Sequence, residues 1–193
     1  MWASKTTATL MVMSTSLGGV SCLNEGRNLI KTEYFSFEAS SKSITQEPNP
    51  KCSGYFILAT DTIYYNAGND MSTLTEQEPL VTYVQPGYEH LFSVPPGVHR
   101  ANSPQFDLDG FRKQNVFFKE LAGFKGKLVL PRVDGVGVTG LYVDSLTHNA
   151  GGKVSFNMYG TNLSASQQKT LVEIFESIRF DKKLTLCDTS VVY

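Results

Sequence analysis

Most of the chain is written in alternation, and one stretch is written in helical period. Residues 153–159 set Val154, Phe156 and Met158 on one side and Lys153, Ser155 and Asn157 on the other. A two-residue period of this kind predicts a strand with one buried and one wet face. Asn149-Ala150-Gly151-Gly152 just before it holds the glycines of a tight hairpin turn. Residues 33–39 alternate in the same way, with Phe35 and Phe37 opposing Tyr34, Ser36 and Glu38. Residues 54–60 (GYFILAT) are continuously apolar, the pattern of a strand buried on both faces, and 63–66 continue it after a turn at Asp61. Further strands are expected over 80–84, 127–130, 138–146 and, at the end, 183–187. The scattered aromatics of 106–118 fit a strand or a short helix. Polar residues 40–50 form a loop closed by Pro48 and Pro50, and Gln85-Pro86-Gly87 and Pro95-Pro96-Gly97 are turns.

The helical stretch follows Gly160. Leu171, Ile174, Phe175 and Ile178 recur at i, i+3, i+4 and i+7, one apolar stripe. Ser164 and Gln167 have the spacing of a capping box at its start.

Residues 1–21 follow the order of an export signal. One cation, Lys5, precedes an apolar run with Leu10, Met11, Val12, Met13 and Leu17, and then Gly18, Gly19 and Ser21 lead to Cys22. If Cys22 carries a lipid, Cys52 and Cys187 are left to pair as a disulfide outside the cytosol. Gly19 stands where a lipoprotein signal usually has leucine. Cleavage after Ser21 without lipidation, and an uncleaved soluble N-terminus, are the two competing readings. The organisation expected is signal 1–21, tether 22–31 and a single α+β domain over 32–193. That length suffices for one real core. Twelve Phe and nine Tyr with few charges point to a sheet-dominated exported domain. Seventeen basic against eighteen acidic residues leave no excess to attract nucleic acid.

Candidate chemistry is sparse. Residues 135–140 spell GxGxxG, but strand formers Leu141-Tyr142-Val143 follow where a dinucleotide site needs a helix. Asp107-Leu108-Asp109-Gly110 opens like a calcium loop, yet Phe118 stands where the closing Glu would fall. His90, His99 and His148 lack metal-ligand spacing, and no GxSxG elbow is present. No catalytic residue, metal or cofactor is therefore assigned. Aromatics beside polar turns and acids suit protein recognition. The candidate partner-binding residues are Tyr64, Tyr65, Tyr88, Glu89, Asp107 and Asp109; packing of the tyrosines at a sheet edge is the competing reading.

The C-terminal third, from Gly152-Lys153-Val154-Ser155-Phe156-Asn157-Met158-Tyr159-Gly160 through Leu171 and Ile174 to Ser177-Ile178-Arg179-Phe180, resembles periplasmic immunity proteins of type VI secretion lipase effectors. Cys52-Ser53-Gly54-Tyr55-Phe56 is similar to their early cysteine–glycine–aromatic strand. The resemblance implies a PsbP-like α/β/α sandwich, a twisted antiparallel sheet flanked by helices. It also implies a membrane-anchored periplasmic lipoprotein, not an enzyme, that binds a secreted phospholipase or lipase and occludes its active site. Two alternatives stand beside it: a ligand-binding or envelope-assembly lipoprotein, and an enzyme with a dispersed site.

Overall fold

The computed structural model describes residues 26–48 and 51–181. The longest alternating stretches are the longest strands. Lys153–Tyr159 lies inside a strand at Gly152–Thr161, paired across the Asn149–Gly152 turn with Val138–Asn149. In chain order the strands are β1 (Arg27–Lys31), β2 (Phe35–Ser40), β3 (Ile44–Gln46), β4 (Ser53–Leu58), β5 (Asp61–Gly68), β6 (Leu80–Tyr83), β7 (Val98–Ala101), β8 (Gln114–Leu121), β9 (Phe124–Pro131), β10 (Val138–Asn149), β11 (Gly152–Thr161) and β12 (Arg179–Phe180). The single α-helix among the described residues, α1, spans Ala165–Ser177.

Seven strands form one antiparallel sheet in the order β3-β4-β5-β11-β10-β9-β8. The β5–β11 seam joins an N-terminal meander to a C-terminal one. One face of this sheet carries the core: Phe56, Leu58, Ile63, Tyr65, Leu141, Val143, Phe156 and Met158. Covering it are the three-stranded sheet β1-β2-β12 and α1. The Phe35 ring meets Tyr65 and Phe156 edge-on at 5.0 and 5.2 Å, and Phe37 lies 5.3 Å from Phe56, contacts that add to their area burial. From α1, Leu171, Ile174 and Phe175 complete the core. Its capping box closes as the spacing predicts. Ser164 Oγ accepts from the Gln167 N–H, and the Gln167 carboxamide accepts from the Ser164 N–H at 2.9 Å. At the other end Ser177 Oγ accepts from Glu38 N–H at 2.9 Å, pinning α1 to β2.

Four expectations need correction. Over the described residues the fold is mostly β, with three sheets and one helix on one face; it is not a helix-flanked α+β or PsbP-like sandwich. The remainder of the described residues supplies strands and short single turns of 3₁₀ helix, so none of them covers the second face with a helix of any length. Residues 27–31, within the stretch read as a tether, pair with β2 as β1. β4 is not buried on both faces: it alternates, with Phe56 and Leu58 inward and Tyr55 half exposed on the other side. The loop expected over 40–50 contains the short strand β3, paired with β4. The 106–118 stretch, which fitted strand or short helix, divides between a 3₁₀ turn at Leu108–Phe111 and the start of β8. The expected strand over 183–187 and the signal over 1–21 lie outside the described residues. No described helix is long and apolar enough to cross a membrane.

Candidate functional site

Leaving the core, the chain makes an excursion between β5 and β8, and four of the six predicted partner-binding residues fall on it. Its first part, residues 69–79, runs across the second face of the large sheet. There Asn157 Nδ2 donates to Ser72 O at 3.0 Å, and Asn66 Nδ2 donates to Asn157 Oδ1 at 3.1 Å. These bonds satisfy an asparagine that is almost fully buried. The Lys127 ammonium donates to Thr75 Oγ1 at 2.7 Å and lies 4.9 Å from the Tyr142 ring centre. Burial lowers its pKa from the ordinary lysine value, with Asp144 opposing. Glu76 then clips the segment to β8. One carboxylate oxygen accepts from the N–H groups of Lys113 and Gln114, at 2.7 and 3.1 Å, while Gln114 Oε1 accepts from Glu76 N–H at 2.8 Å.

Beyond this clip β6 and β7 pair in parallel, Leu80 opposite Val98 and Tyr83 opposite Ala101. Their connection, residues 84–97, is the outermost part. Gly87 and Gly97 take φ of +92° and +83° at the two Pro-Gly turns, a conformation that favours glycine. Between them Glu89–Leu91 makes one 3₁₀ turn, and Glu89 Oε2 accepts from Gly87 N–H at 2.8 Å. The turn buries none of its residues. Leu91 is 62% exposed, Phe92 59% and Tyr88 50%. A hollow of ≈ 690 Å³ opens beside them, lined by Tyr83, Tyr88, Phe92, Val94, Pro95 and Val98.

A second hollow, of ≈ 300 Å³, lies where the excursion returns to β8. Two ion pairs line it. Arg112 Nη2 meets Glu78 at 2.8 Å, and Arg132 Nη2 meets Asp109 Oδ2 at 2.7 Å. The Arg132 hydrogen bond, with the charges of Arg132 and Arg112, holds the Asp109 carboxyl below its ordinary range. Asp107 accepts from Asp109 N–H at 2.9 Å and caps the 3₁₀ turn. Both carboxylates of the Asp107–Asp109 motif are thus engaged within the protein. No group of three or more His, Cys, Asp or Glu side chains among the described residues is placed to hold a metal.

The two remaining candidates part company. Tyr64 points to the second sheet face, half exposed, with its ring stacked 5.6 Å from Tyr159. Tyr65 is fully buried against Phe35, because neighbours on a strand face opposite ways, so it is a core residue and not a contact residue. Gly135 and Gly137 lie in the turn that leads directly into β10, so GxGxxG meets a strand and not a helix. Cys52 is disulfide-bonded, and Cys22 and Cys187 lie outside the described residues. Leu91 and Phe92 were not singled out by sequence. Their signal was an adjacent apolar pair inside a segment bracketed by Pro-Gly turns, too short for any period.

No protein-family model, curated protein or solved structure matches the chain.

Proposed function

We propose that this protein binds and inhibits another protein by seating the tip of its excursion, residues 88–94, in the partner's cleft. The observation that carries the reading is the exposure of Tyr88, Leu91 and Phe92 together on a loop anchored at both ends. Large apolar and aromatic side chains held outward on a braced loop make contact energy available at little ordering cost. The C-terminal resemblance to immunity proteins supplies the partner's class: a secreted antibacterial phospholipase or lipase, whose substrate cleft is apolar. On that reading the protein acts in the periplasm as a lipoprotein anchored through Cys22, and it needs no catalytic group of its own. The reading draws nothing from the sandwich fold, which the chain does not have.

The test is inhibition of the hydrolases secreted by the producing cell. The wild-type protein should form a stable complex with one of them and suppress its lipase activity. Leu91→Asp and Phe92→Asp should each weaken inhibition by about tenfold or more. If no secreted hydrolase is inhibited, or if both variants inhibit as wild type does, the reading fails. The ≈ 690 Å³ hollow favours one second reading, an apolar-ligand-binding lipoprotein. Quenching of intrinsic tyrosine fluorescence by a fatty acid, with no protein partner present, would favour it.

A further inference from the structure

Among the described residues the seven-stranded sheet ends differently on its two sides. Its β3 edge is three residues long, which leaves little backbone to template another strand. Its β8 edge runs for eight residues without a proline, and at its middle stand Val116, Phe117 and Phe118, exposed by 37%, 51% and 65%. Both faces of the edge are therefore apolar at the midpoint. Lysine on an edge normally discourages pairing. Here Lys119 is turned onto α1, where its ammonium meets Glu176 Oε1 at 2.5 Å.

The hairpin turn fixes which backbone groups face outward. Ala122 and Gly123 have φ of 50° and 83°, the left-handed pair of a two-residue type I′ hairpin. Leu121 and Phe124, which face each other across it, are then the hydrogen-bonded pair beside the turn. Along β8 residues 119, 117 and 115 bond to β9, and the N–H and C=O groups of Glu120, Phe118, Val116 and Gln114 point outward. Of these, the Gln114 N–H is held by Glu76.

From this edge we infer that β8 pairs with β8 of a second copy of this chain, antiparallel and centred on Phe117. A two-fold axis between such strands opposes residues of the same face. Centred on Phe117, it sets Phe117 against itself and Val116 against Phe118. Farther out, Asn115 faces Lys119 and Gln114 faces Glu120. Apolar meets apolar, polar meets polar, and no like charges oppose. Moving the centre to Phe118 would put Val116 against Glu120 and Phe117 against Lys119. Moving it to Val116 would put Phe118 against Gln114 and Phe117 against Asn115, apolar against polar. The edge is self-complementary in one register, which is what an isologous contact requires, and the outward groups of Val116 and Phe118 supply its ladder.

Sedimentation velocity of the full chain over a concentration series tests this, and the inference does not rest on the inhibitor reading. A reversible dimer is expected. Val116→Pro removes one outward N–H and leaves the β9 bonds intact, and Phe118→Lys places charge in the apolar centre. Each should weaken dimerisation roughly tenfold or more with an unchanged circular dichroism spectrum. Under mild oxidation Phe117→Cys should link two copies through residue 117, the close non-hydrogen-bonded pair, and Phe118→Cys should link far more slowly. A monomer at every concentration overturns the inference, as does a dimer indifferent to Val116→Pro and Phe118→Lys. So does linkage preferring residue 118, or a monomer that instead takes up an extended segment of another protein along β8.

Discussion

At Gly160 a single methyl group has no room. A Cβ there would lie 2.6 Å from Ile63 Cδ1 and 2.9 Å from Leu163 Cδ1, and both neighbours are packed in the core. Gly160→Ala should therefore cost about 1–3 kcal/mol by urea unfolding. Phe175→Ala, which empties a buried site, should cost about 3–5 kcal/mol in the same assay. Asp144 makes a different kind of prediction. Lys153 Nζ, Tyr142 OH and Ser155 Oγ all donate to its carboxylate, at 3.3, 3.2 and 3.4 Å. The Lys153 hydrogen bond above all, against some desolvation, holds its pKa below the ordinary carboxylate value. A carboxyl depressed in the folded state stabilises fully above its unfolded pKa, near about 4. That contribution is lost as pH falls through the lower folded value. Asp109 has the same sign. The urea midpoint of the wild type should thus fall between pH 5 and pH 2 (about the range over which carboxyls protonate), and Asp109→Asn with Asp144→Asn should flatten that fall. An unchanged slope would mean that neither pair matters to folding.

At the scale of elements, the helix was the most legible part of the chain and the outer strands the least. The signals of α1 are local: a cap, its reciprocal residue and an apolar stripe all lie within four turns. Ser164→Ala should remove about 1 kcal/mol, read as a lower thermal midpoint. A strand has no such self-sufficiency. In β1 only Ile30 is buried, so the segment carries no alternation, and it becomes a strand because β2 offers it a ladder. β4 misled in the opposite direction. Its apolar run contains Tyr55 and Ile57, which face the wetter side of the sheet, and hydrophobic composition alone does not say how many faces are covered. The excursion was legible as turns, since proline and glycine mark them locally. The parallel pairing of β6 with β7 was not, because nothing in either four-residue strand specifies its partner or its direction.

For the whole molecule, the layers were where the expectation failed: a sheet flanked by helices was expected, and the described residues form three sheets with one helix. Apolar and alternating runs gave β4, β5, β9, β10 and β11, while β3 lay inside an expected loop and β8 inside a stretch that fitted strand or helix; the seam that makes one sheet of them joins residues such as Asn66 and Asn157, 91 positions apart. Of the candidate site, the Pro-Gly-bounded stretch and Tyr88 were within reach of sequence. The exposure of Leu91 and Phe92 depends on what the sheet leaves uncovered. Cys52 adds a constraint at this scale. Peptide mapping under non-reducing conditions should find it joined to Cys187, and reduction should lower stability by roughly 2–4 kcal/mol; a Cys22–Cys52 peptide would instead remove Cys22 as a lipid anchor. The β5–β11 seam has a consequence of its own, in time and not in space. Each meander can zip from its own short turns, but the seam must wait until a long intervening segment has closed on itself, so folding is expected to be slow and to end there. Most of that segment is the excursion. Because closure entropy grows only with the logarithm of length, the loop between β6 and β7 is a place where this chain can gain or lose residues with little effect on how fast it folds.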